Sequence, residues 1–116
     1  YRLARSLTLF AASAAQVDAI ATVFTNFRDD EGFRAECVAA RRDGFTGKMA
    51  IHPAQVPIAN AVFAPSPAEL AKAEAIIALF AGNPGLGVIG LDGEMLDRPH
   101  LIRAQRLKAR AEKLAE

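Results

Sequence analysis

The clearest candidate for chemistry is the triplet Ile51-His52-Pro53, which lies where a predicted strand ends and a predicted helix begins. In a βα barrel the loops at that edge carry the catalytic groups, so a histidine there could donate a hydrogen bond to a ligand. The alternative is that His52 only bonds a neighbouring backbone carbonyl. Gln55, in the first turn of the following helix, is near enough to share either role. The free backbone N–H groups at this helix start also suit an anionic ligand.

Acidic residues occur in two groups near predicted turns. The acids at positions 29–31 follow an earlier predicted strand, and three carboxylates there could hold a metal ion. Capping of the next helix is the better explanation, because acidic side chains are favoured at the positive end of the helix dipole. In the second group, Asp92 belongs to a two-residue turn, and Asp97 serves at least partly as a cap for the helix that starts at Pro99. The pattern by itself therefore favours structural roles for both groups.

Three further patterns are better explained by structure than by chemistry. The run Gly85–Gly90 fits G-x-G-x-x-G, but a dinucleotide-binding turn follows a strand and opens a helix, whereas here a helix precedes and a hairpin follows. The basic residues of the last helix are typical of a solvated face, with contact to ligand phosphates or to a neighbouring subunit as the alternative. Cys37 is the only cysteine and is predicted to be a buried, small apolar residue. We find no Ser–His–Asp arrangement and no metal-binding spacing of cysteines or histidines.

Hydrophobic periodicity places these residues on a series of helices and strands. The predicted helices are Leu3–Gln16, one from Asp29 or Asp30 to about Asp43, one that opens at Pro53 and includes Phe63, one from Pro67 to about Phe80, and one from Pro99 to about Ala115. The predicted strands are Ala19–Thr25, Lys48–Ile51, Val88–Leu91 and Glu94–Leu96. The apolar stripe of the first helix includes Leu3, Leu7 and Phe10. Ser66-Pro67-Ala68-Glu69 fits a capping box, and Asp92-Gly93 fits a hairpin turn.

The order of these elements predicts the fold class. Helices and strands alternate in the first half, which points to a parallel sheet with crossover helices. Two parallel strands do not form a stable layer by themselves, because parallel sheets are buried on both faces. We therefore expect further strands before Tyr1, and the lack of an initiator methionine fits a piece of a longer chain. The expected α/β fold is the carboxy-terminal part of a βα barrel over residues 1–65, followed by a helix–hairpin–helix extension over residues 66–116.

Composition restricts the kinds of partner. The chain has 116 residues, of which 52% are hydrophobic and 23% charged, as is typical of a folded globular domain. Its net charge of +1 favours neither a nucleic acid nor an anionic membrane as partner. No apolar run reaches the ~18 residues of a membrane span, and the first residues do not fit a secretory signal. A cytoplasmic location is therefore expected.

Two motifs give the sequence a family resemblance. Residues 44–55, G-F-T-G-K-M-A-I-H-P-A-Q, resemble the G-F-x-G-K-x-x-I-H-P-x-Q signature of the citrate lyase β-subunit family, which includes malyl-CoA and citramalyl-CoA lyases within the HpcH/HpaI aldolase superfamily. Residues 91–100, L-D-G-E-M-L-D-R-P-H, resemble the family's D-G-x-M-x-D-x-P-H element. Residues 22–27 and 30–32 resemble the strand and loop before the first motif. The resemblance covers essentially the whole chain, and the motifs occur in the expected order.

The resemblance implies a TIM-like (β/α)8 barrel, with this chain supplying the last two βα units and an extension. It also implies homotrimers or higher homo-oligomers. The implied reaction is magnesium-dependent cleavage or formation of a carbon–carbon bond in a 3-hydroxyacyl-CoA, such as citryl-, malyl- or citramalyl-CoA. Asp97 matches the acid/base residue, which acts in a neighbouring subunit. Ile51, His52, Pro53 and Gln55 match the substrate and CoA site. The magnesium ligands are expected on earlier strands, with none in this chain.

Two other functions remain open at this point. One is a thioesterase for malyl-CoA, in which water attacks the same bound thioester. The other is a non-catalytic subunit that oligomerises through the extension. The sequence also departs from the family at one position, since Ala21 stands where the pattern I-D-x-V often has aspartate.

Overall fold

The computed structural model describes residues 1–115, which divide into two compact units. The first unit is Tyr1–Phe63, and the second begins at Ala64. The first unit contains α1 (Arg2–Ala15), β1 (Ile20–Ala21), α2 (Asp30–Asp43), β2 (Gly47–Lys48) and α3 (Gln55–Phe63). The two strands pair in parallel, with Ile20 opposite Gly47 and Ala21 opposite Lys48. The predicted alternation of helices with parallel strands is confirmed.

Both strands of the first unit are shorter than predicted. β1 covers Ile20–Ala21 instead of Ala19–Thr25, and β2 covers Gly47–Lys48 instead of Lys48–Ile51. An apolar run reports burial, whereas a strand exists only where a neighbouring strand supplies hydrogen-bond partners. The predicted bounds of both strands were therefore wrong, although their positions along the chain were right.

Helix α2 has the ends that its sequence predicts. The Asp29 side chain accepts a hydrogen bond from the Gly32 N–H at 2.9 Å, which caps the first turn. Gly44 ends the helix with φ 113°, a left-handed conformation that favours glycine. Glycine at position 32 leaves room for this cap, because a Cβ there would clash with the Asp29 carboxylate. The acids at positions 29–31 thus serve α2, as the capping interpretation expects.

The core of the first unit lies between α2, α3 and the strands. Its buried members are Ala19, Ala21, Phe33, Cys37, Ala40, Phe45, Ile58, Val62 and Phe63. The burial of Cys37, at 0% exposure, confirms its predicted role and raises the pKa of its thiol.

Helix α1 contacts this core with a different face from the one its sequence suggests. Leu9 and Ala12 pack against the core, whereas Leu3, Leu7 and Phe10 are 73%, 55% and 69% exposed. Apolar periodicity identifies a stripe but does not identify what the stripe contacts. The larger stripe of α1 thus faces away from the core of its own unit.

The second unit is a helix–hairpin–helix arrangement made of α4 (Pro67–Gly82), β3 (Val88–Leu91), β4 (Glu94–Asp97) and α5 (Arg98–Ala115). The strands pair antiparallel, with Val88 opposite Asp97 and Leu91 opposite Glu94. Asp92 and Gly93 connect them with φ values of 50° and 81°, as a two-residue turn with a left-handed backbone requires. The predicted hairpin is confirmed, and β4 extends one residue further than expected.

Helix α4 begins with the predicted capping box and ends at Gly82, two residues beyond the expected Phe80. The Ser66 hydroxyl accepts from the Glu69 N–H at 3.2 Å, and the Glu69 carboxylate accepts from the Ser66 N–H at 2.7 Å. The core of this unit is small and consists of Ala73, Ile76, Phe80, Leu96 and Ala104. No helix in residues 1–115 is long and apolar enough to cross a membrane.

Candidate active site

The segment after β2 is an exposed turn that carries the predicted ligand-binding residues. Ile51, His52 and Pro53 are all exposed, with Ile51 at 51%. The Gln55 N–H donates to the His52 carbonyl at 3.0 Å, which closes a tight turn before the first residue of α3. The helix therefore begins at Gln55 and not at Pro53, which corrects the prediction. The turn leaves three candidate residues on the surface beside the end of β2.

His52 has one ring nitrogen engaged and one available. Its Nδ1 accepts a hydrogen bond from the Ala54 N–H at 3.2 Å, so in the neutral ring the proton resides on Nε2. Within residues 1–115, no hydrogen-bond partner is found for Nε2. The expected alternative, a bond from His52 to a backbone carbonyl, is not what the structure shows, because the partner is a backbone amide. The Nε2–H of the neutral ring can therefore donate a hydrogen bond to a ligand.

An aromatic ring from the loop after β1 holds the His52 ring. Phe27 stacks on His52 with 4.8 Å between ring centroids and 25° between planes. The Arg28 guanidinium lies 5.4 Å from the centre of the Phe27 ring. The segments that follow β1 and β2 thus meet at the same edge of the sheet, as they must when two parallel strands are neighbours. No local sequence signal predicts this contact of Phe27 with His52.

Gln55 lies beneath this turn and is 1% exposed. Its Oε1 accepts from the Ile51 N–H at 2.9 Å, and its Nε2 donates to the Phe24 carbonyl at 3.0 Å. Both ends of the side-chain amide therefore bond backbone atoms of the two loops. A direct contact between Gln55 and CoA stays a prediction.

Lys48 provides a second buried polar side chain at this edge, which is 2% exposed. Its Nζ donates to the Glu36 carboxylate at 2.7 Å and to the Thr22 carbonyl at 2.9 Å. The ammonium also lies 5.8 Å from the centre of the Phe33 ring. Lys48 thereby connects the end of β1 to helix α2. Lys48 stands within the first motif, but no local pattern in the sequence predicts this role.

Asp97 is the last residue of β4, and its side chain is 49% exposed. Its Oδ1 lies 2.5 Å from the His100 Nδ1, and it accepts from the His100 N–H at 3.4 Å. The carboxylate thus caps the first turn of α5, as the pattern predicts, while its other oxygen bonds neither of these groups. His100, which ends the second motif, was given no separate role in the sequence analysis.

The hydrogen bond from His100 holds the pKa of Asp97 below its ordinary value of 3.8, and desolvation opposes this shift only in part. The His100 Nδ1 also lies 3.2 Å from the Asp97 N–H, which would require a lone pair on Nδ1. The shorter contact to the charged oxygen is the stronger one, so we assign the proton to Nδ1. Asp97 is therefore ionised at neutral pH and can remove a proton.

The described residues do not form a magnesium site. In residues 1–115 no group of three or more His, Cys, Asp or Glu side chains could hold a metal ion. Of the acids after β1, Asp29 is used as a helix cap.

The predicted site residues fall into two groups. Ile51, His52, Pro53 and Gln55 lie together in the first unit, and Asp97 lies in the second unit beside His100. Each group has a fixed local geometry, and each lies at the end of a strand.

Comparison with known proteins gives a consistent family match. A family model described as "C-C_Bond_Lyase of the TIM-Barrel fold" matches residues 3–114. The chain is 47% identical over 111 residues to a (3S)-malyl-CoA thioesterase of Cereibacter sphaeroides. This match covers 94% of this chain and 39% of that protein. It is 44% identical over 106 residues to citrate lyase subunit beta of Leuconostoc mesenteroides, covering 90% of this chain and 35% of that subunit.

A solved structure agrees with these relatives. The chain superposes with a TM-score of 0.79 and 33% identity on protein CitE from Mycobacterium tuberculosis, in a crystal structure with magnesium, acetoacetate and coenzyme A. The match covers 96% of this chain and 41% of CitE. The chain therefore spans about two fifths of the length of the proteins it resembles, and its fold is that of part of a TIM barrel.

Proposed function

Because the chain belongs to the C–C bond lyase family of the TIM-barrel fold, we propose that it is the carboxy-terminal part of an acyl-CoA carbon–carbon lyase. The substrate class is a 3-hydroxyacyl-CoA similar to citryl-, malyl- or citramalyl-CoA. Cleavage releases an oxoacid and a shorter acyl-CoA. The single observation that carries this proposal is the family match over residues 3–114, which includes both motifs. The chain itself is proposed to supply the last two βα units and the extension.

The turn after β2 is proposed to bind the thioester end of CoA. Its exposed apolar residues Ile51 and Pro53 can contact the acyl-CoA chain, and the His52 Nε2–H can donate to the thioester oxygen. The difficult species in this reaction is the thioester enolate, whose negative charge develops on that oxygen. A donor fixed in advance stabilises such a charge without having to reorganise during the reaction. CitE, which the chain resembles, was crystallised with coenzyme A, and this supports the assignment.

Asp97 is proposed to move the proton at the enolate carbon. In the direction of bond formation, its carboxylate removes a proton from the α-carbon of the acyl-CoA, and the C–H electrons form the enolate. The enolate carbon then attacks the carbonyl of the oxoacid, whose oxygen takes the proton back from Asp97. In cleavage the ionised Asp97 takes the proton of the 3-hydroxyl group, the carbon–carbon bond breaks to give the oxoacid carbonyl and the same enolate, and the protonated carboxyl group returns the proton to the enolate carbon. Asp97 is ionised at neutral pH and can accept a proton, and its lowered pKa makes it a weaker base than a free carboxylate. The extension is proposed to present Asp97 to the barrel of a neighbouring subunit.

Magnesium is proposed to be bound by residues outside this chain, because the described residues provide no suitable cluster. The magnesium in the CitE crystal structure supports the use of this metal. A homotrimer or higher homo-oligomer in the cytoplasm is proposed as the assembly and location of the complete enzyme. Measurement of its mass in solution by light scattering checks the assembly.

Hydrolysis of a malyl-CoA thioester is a second candidate function. It is favoured by the 47% identity to a protein named (3S)-malyl-CoA thioesterase. The same residues suit this reaction, since a carboxylate that removes a proton from carbon can also remove one from an attacking water molecule. Hydrolysis breaks the C–S bond and leaves the carbon–carbon bond of the hydroxyacid intact.

Product analysis separates the candidates. The complete enzyme is incubated with malyl-CoA and citramalyl-CoA, with magnesium or with excess EDTA. A lyase releases an oxoacid together with acetyl- or propionyl-CoA, and EDTA stops the reaction. Free CoA with an intact hydroxyacid would instead establish the thioesterase. Lack of either product with these substrates and citryl-CoA would favour a non-catalytic subunit that acts in oligomerisation.

A further inference from the structure

We infer that Gln55 is a positioning residue, which locks the loop after β1 to the turn after β2 and thereby orients His52. This inference rests on the proposed function, in which His52 contacts the thioester. It assigns Gln55 a task different from direct contact with the ligand. Three features of the first unit support it.

The first feature is the way in which the Gln55 amide is used. The side chain is 1% exposed, and its two polar atoms bond the Ile51 N–H at 2.9 Å and the Phe24 carbonyl at 3.0 Å. The amide has a second N–H and a second lone pair, but at 1% exposure a ligand could reach them only if the two loops moved apart and broke these bonds. Breaking them would leave backbone groups without their partners, which is unfavourable. The amide is therefore better suited to hold the protein than to bind a substrate.

The second feature is that one end of this connection is anchored in the core. Phe24 packs against the core of the first unit and lies 6.0 Å from Phe33, measured between ring centroids. Phe33 itself is 1% exposed. The Phe24 carbonyl is consequently a fixed acceptor, and Gln55 transmits its position to the exposed Ile51 backbone.

The third feature is that His52 lies directly beyond the bonded amide. Ile51 and His52 precede the first turn of α3, so apart from the bond of the His52 carbonyl to the Gln55 N–H their backbone has no helical hydrogen bonds to hold it. The Gln55 side chain supplies that restraint on one side, and the Phe27 ring supplies it on the other by stacking at 4.8 Å. Phe27 lies three residues beyond Phe24, so the Gln55 side chain, which bonds both loops, aligns the Phe27 ring with the His52 ring. The position of the His52 Nε2–H therefore depends on Gln55.

A double-mutant cycle tests this dependence in the complete enzyme. Gln55→Met removes both hydrogen bonds with little change in volume, and we expect it to lower kcat/KM by about 10- to 100-fold, the loss typical of a misplaced catalytic group. In a His52→Ala background the same change should lower kcat/KM by no more than about twofold, because the group that it positions is absent. Gln55→Glu retains the acceptor for the Ile51 N–H, so its kcat/KM should lie between the values for Gln55→Met and the wild type. Gln105→Met, at an exposed position on α5, is the matched control and should leave kcat/KM unchanged.

A second measurement needs no substrate. Hydrogen exchange at the Ile51 amide should be slow in the wild type and at least about tenfold faster in Gln55→Met, because local opening exposes the amide. Equal exchange rates in the two proteins would show that Gln55 does not hold the Ile51 amide and would overturn the inference. The inference would also be overturned if Gln55→Met lowered kcat/KM as much in the His52→Ala background as in the wild type. A wild-type enzyme that turns over no acyl-CoA would refute the proposed function, while the exchange rates would still decide whether Gln55 holds the turn.

Discussion

The pairing of Asp97 with His100 gives the proposed proton carrier a defined charge state. Asp97 is half exposed, so solvent alone would leave its pKa in the usual range. The Nδ1–H of His100 stabilises the ionised form at 2.5 Å, and the backbone N–H of the same residue adds a weaker contact at 3.4 Å. The pKa of the nearby Glu94 is lowered mainly by its hydrogen bond to Lys72, with a smaller effect of His100. Geometry thus favours a carboxylate over a carboxylic acid.

A change at His100 should alter the pH dependence of the complete enzyme. The folded-state pKa of Asp97 is lowered by His100, so His100→Ala should raise it towards 3.8 or above. Because the ionised form is the base, the acidic limb of the kcat/KM profile should move to higher pH. His100→Gln can donate from its amide and should restore part of the shift. Lys72→Met, which breaks only the exposed pair with Glu94, is the control and should leave the limb in place.

The same shift predicts a pH dependence of stability. A carboxyl group whose pKa is lower in the folded state adds stability that is present above its unfolded pKa. That contribution should disappear as the pH falls through the lowered folded pKa of Asp97. A pH profile in which His100→Ala matches the wild type would contradict the assigned hydrogen bond.

Residue roles were predictable only where the signal is local. Asp29 as a cap and Asp92 in the hairpin turn follow from neighbours within three positions. The bridge from Gln55 to Phe24 spans 31 positions, and no sequence spacing reports it. The stack of Phe27 on His52 is equally non-local. The motif identified the residues after β2, whereas only the fold shows how they are held.

At the scale of elements, the hairpin shows how alternation determines which side chains are buried. Along β4, Leu96 is 1% exposed and its neighbour Met95 is 75% exposed, as the two-residue period of a strand requires. Leu96 lies in the small core that α4 and α5 form with the hairpin. The position of Asp97 therefore depends on the packing of the residue before it.

Truncation of these neighbouring residues should have unequal effects on stability. Leu96→Ala should lower the free energy of unfolding by about 2–5 kcal/mol, because it leaves a cavity in a core with few other members. Met95→Ala is the control on the opposite face and should change it by less than about 0.5 kcal/mol. Urea unfolding followed by circular dichroism measures both values. Equal effects of the two substitutions would mean that the described orientation of β4 is wrong.

Element types were predicted better than element bounds. The capping box at Ser66 and the glycine stop at Gly44 fixed helix ends, because their chemistry is local. The two parallel strands were predicted to extend too far, because their pairing ends at Ala21 and Lys48. The stripe on α1 was identified, but its exposure depends on what else surrounds the helix.

At the scale of the whole molecule, the two groups of candidate residues belong to two separate units of the chain. The first unit carries the turn with His52, and the second carries Asp97. The expected boundary between barrel and extension, after residue 65, remains a prediction, as do the roles of these residues. The fold of a partial TIM barrel was predictable, because alternating elements and two family motifs both indicate it.

The central claim is that Asp97 carries the proton in an acyl-CoA reaction, and kinetics of Asp97→Asn in the complete enzyme test it most directly. Asparagine keeps the cap on α5, but its amide neither accepts nor releases a proton near neutral pH. The value of kcat/KM should therefore fall by about 10²- to 10⁴-fold, while the unfolding midpoint changes little. Asp92→Asn in the neighbouring turn is the matched control, and asparagine tolerates its left-handed backbone. Turnover that persists in Asp97→Asn, or that falls only as far as stability falls, would reduce Asp97 to a helix cap.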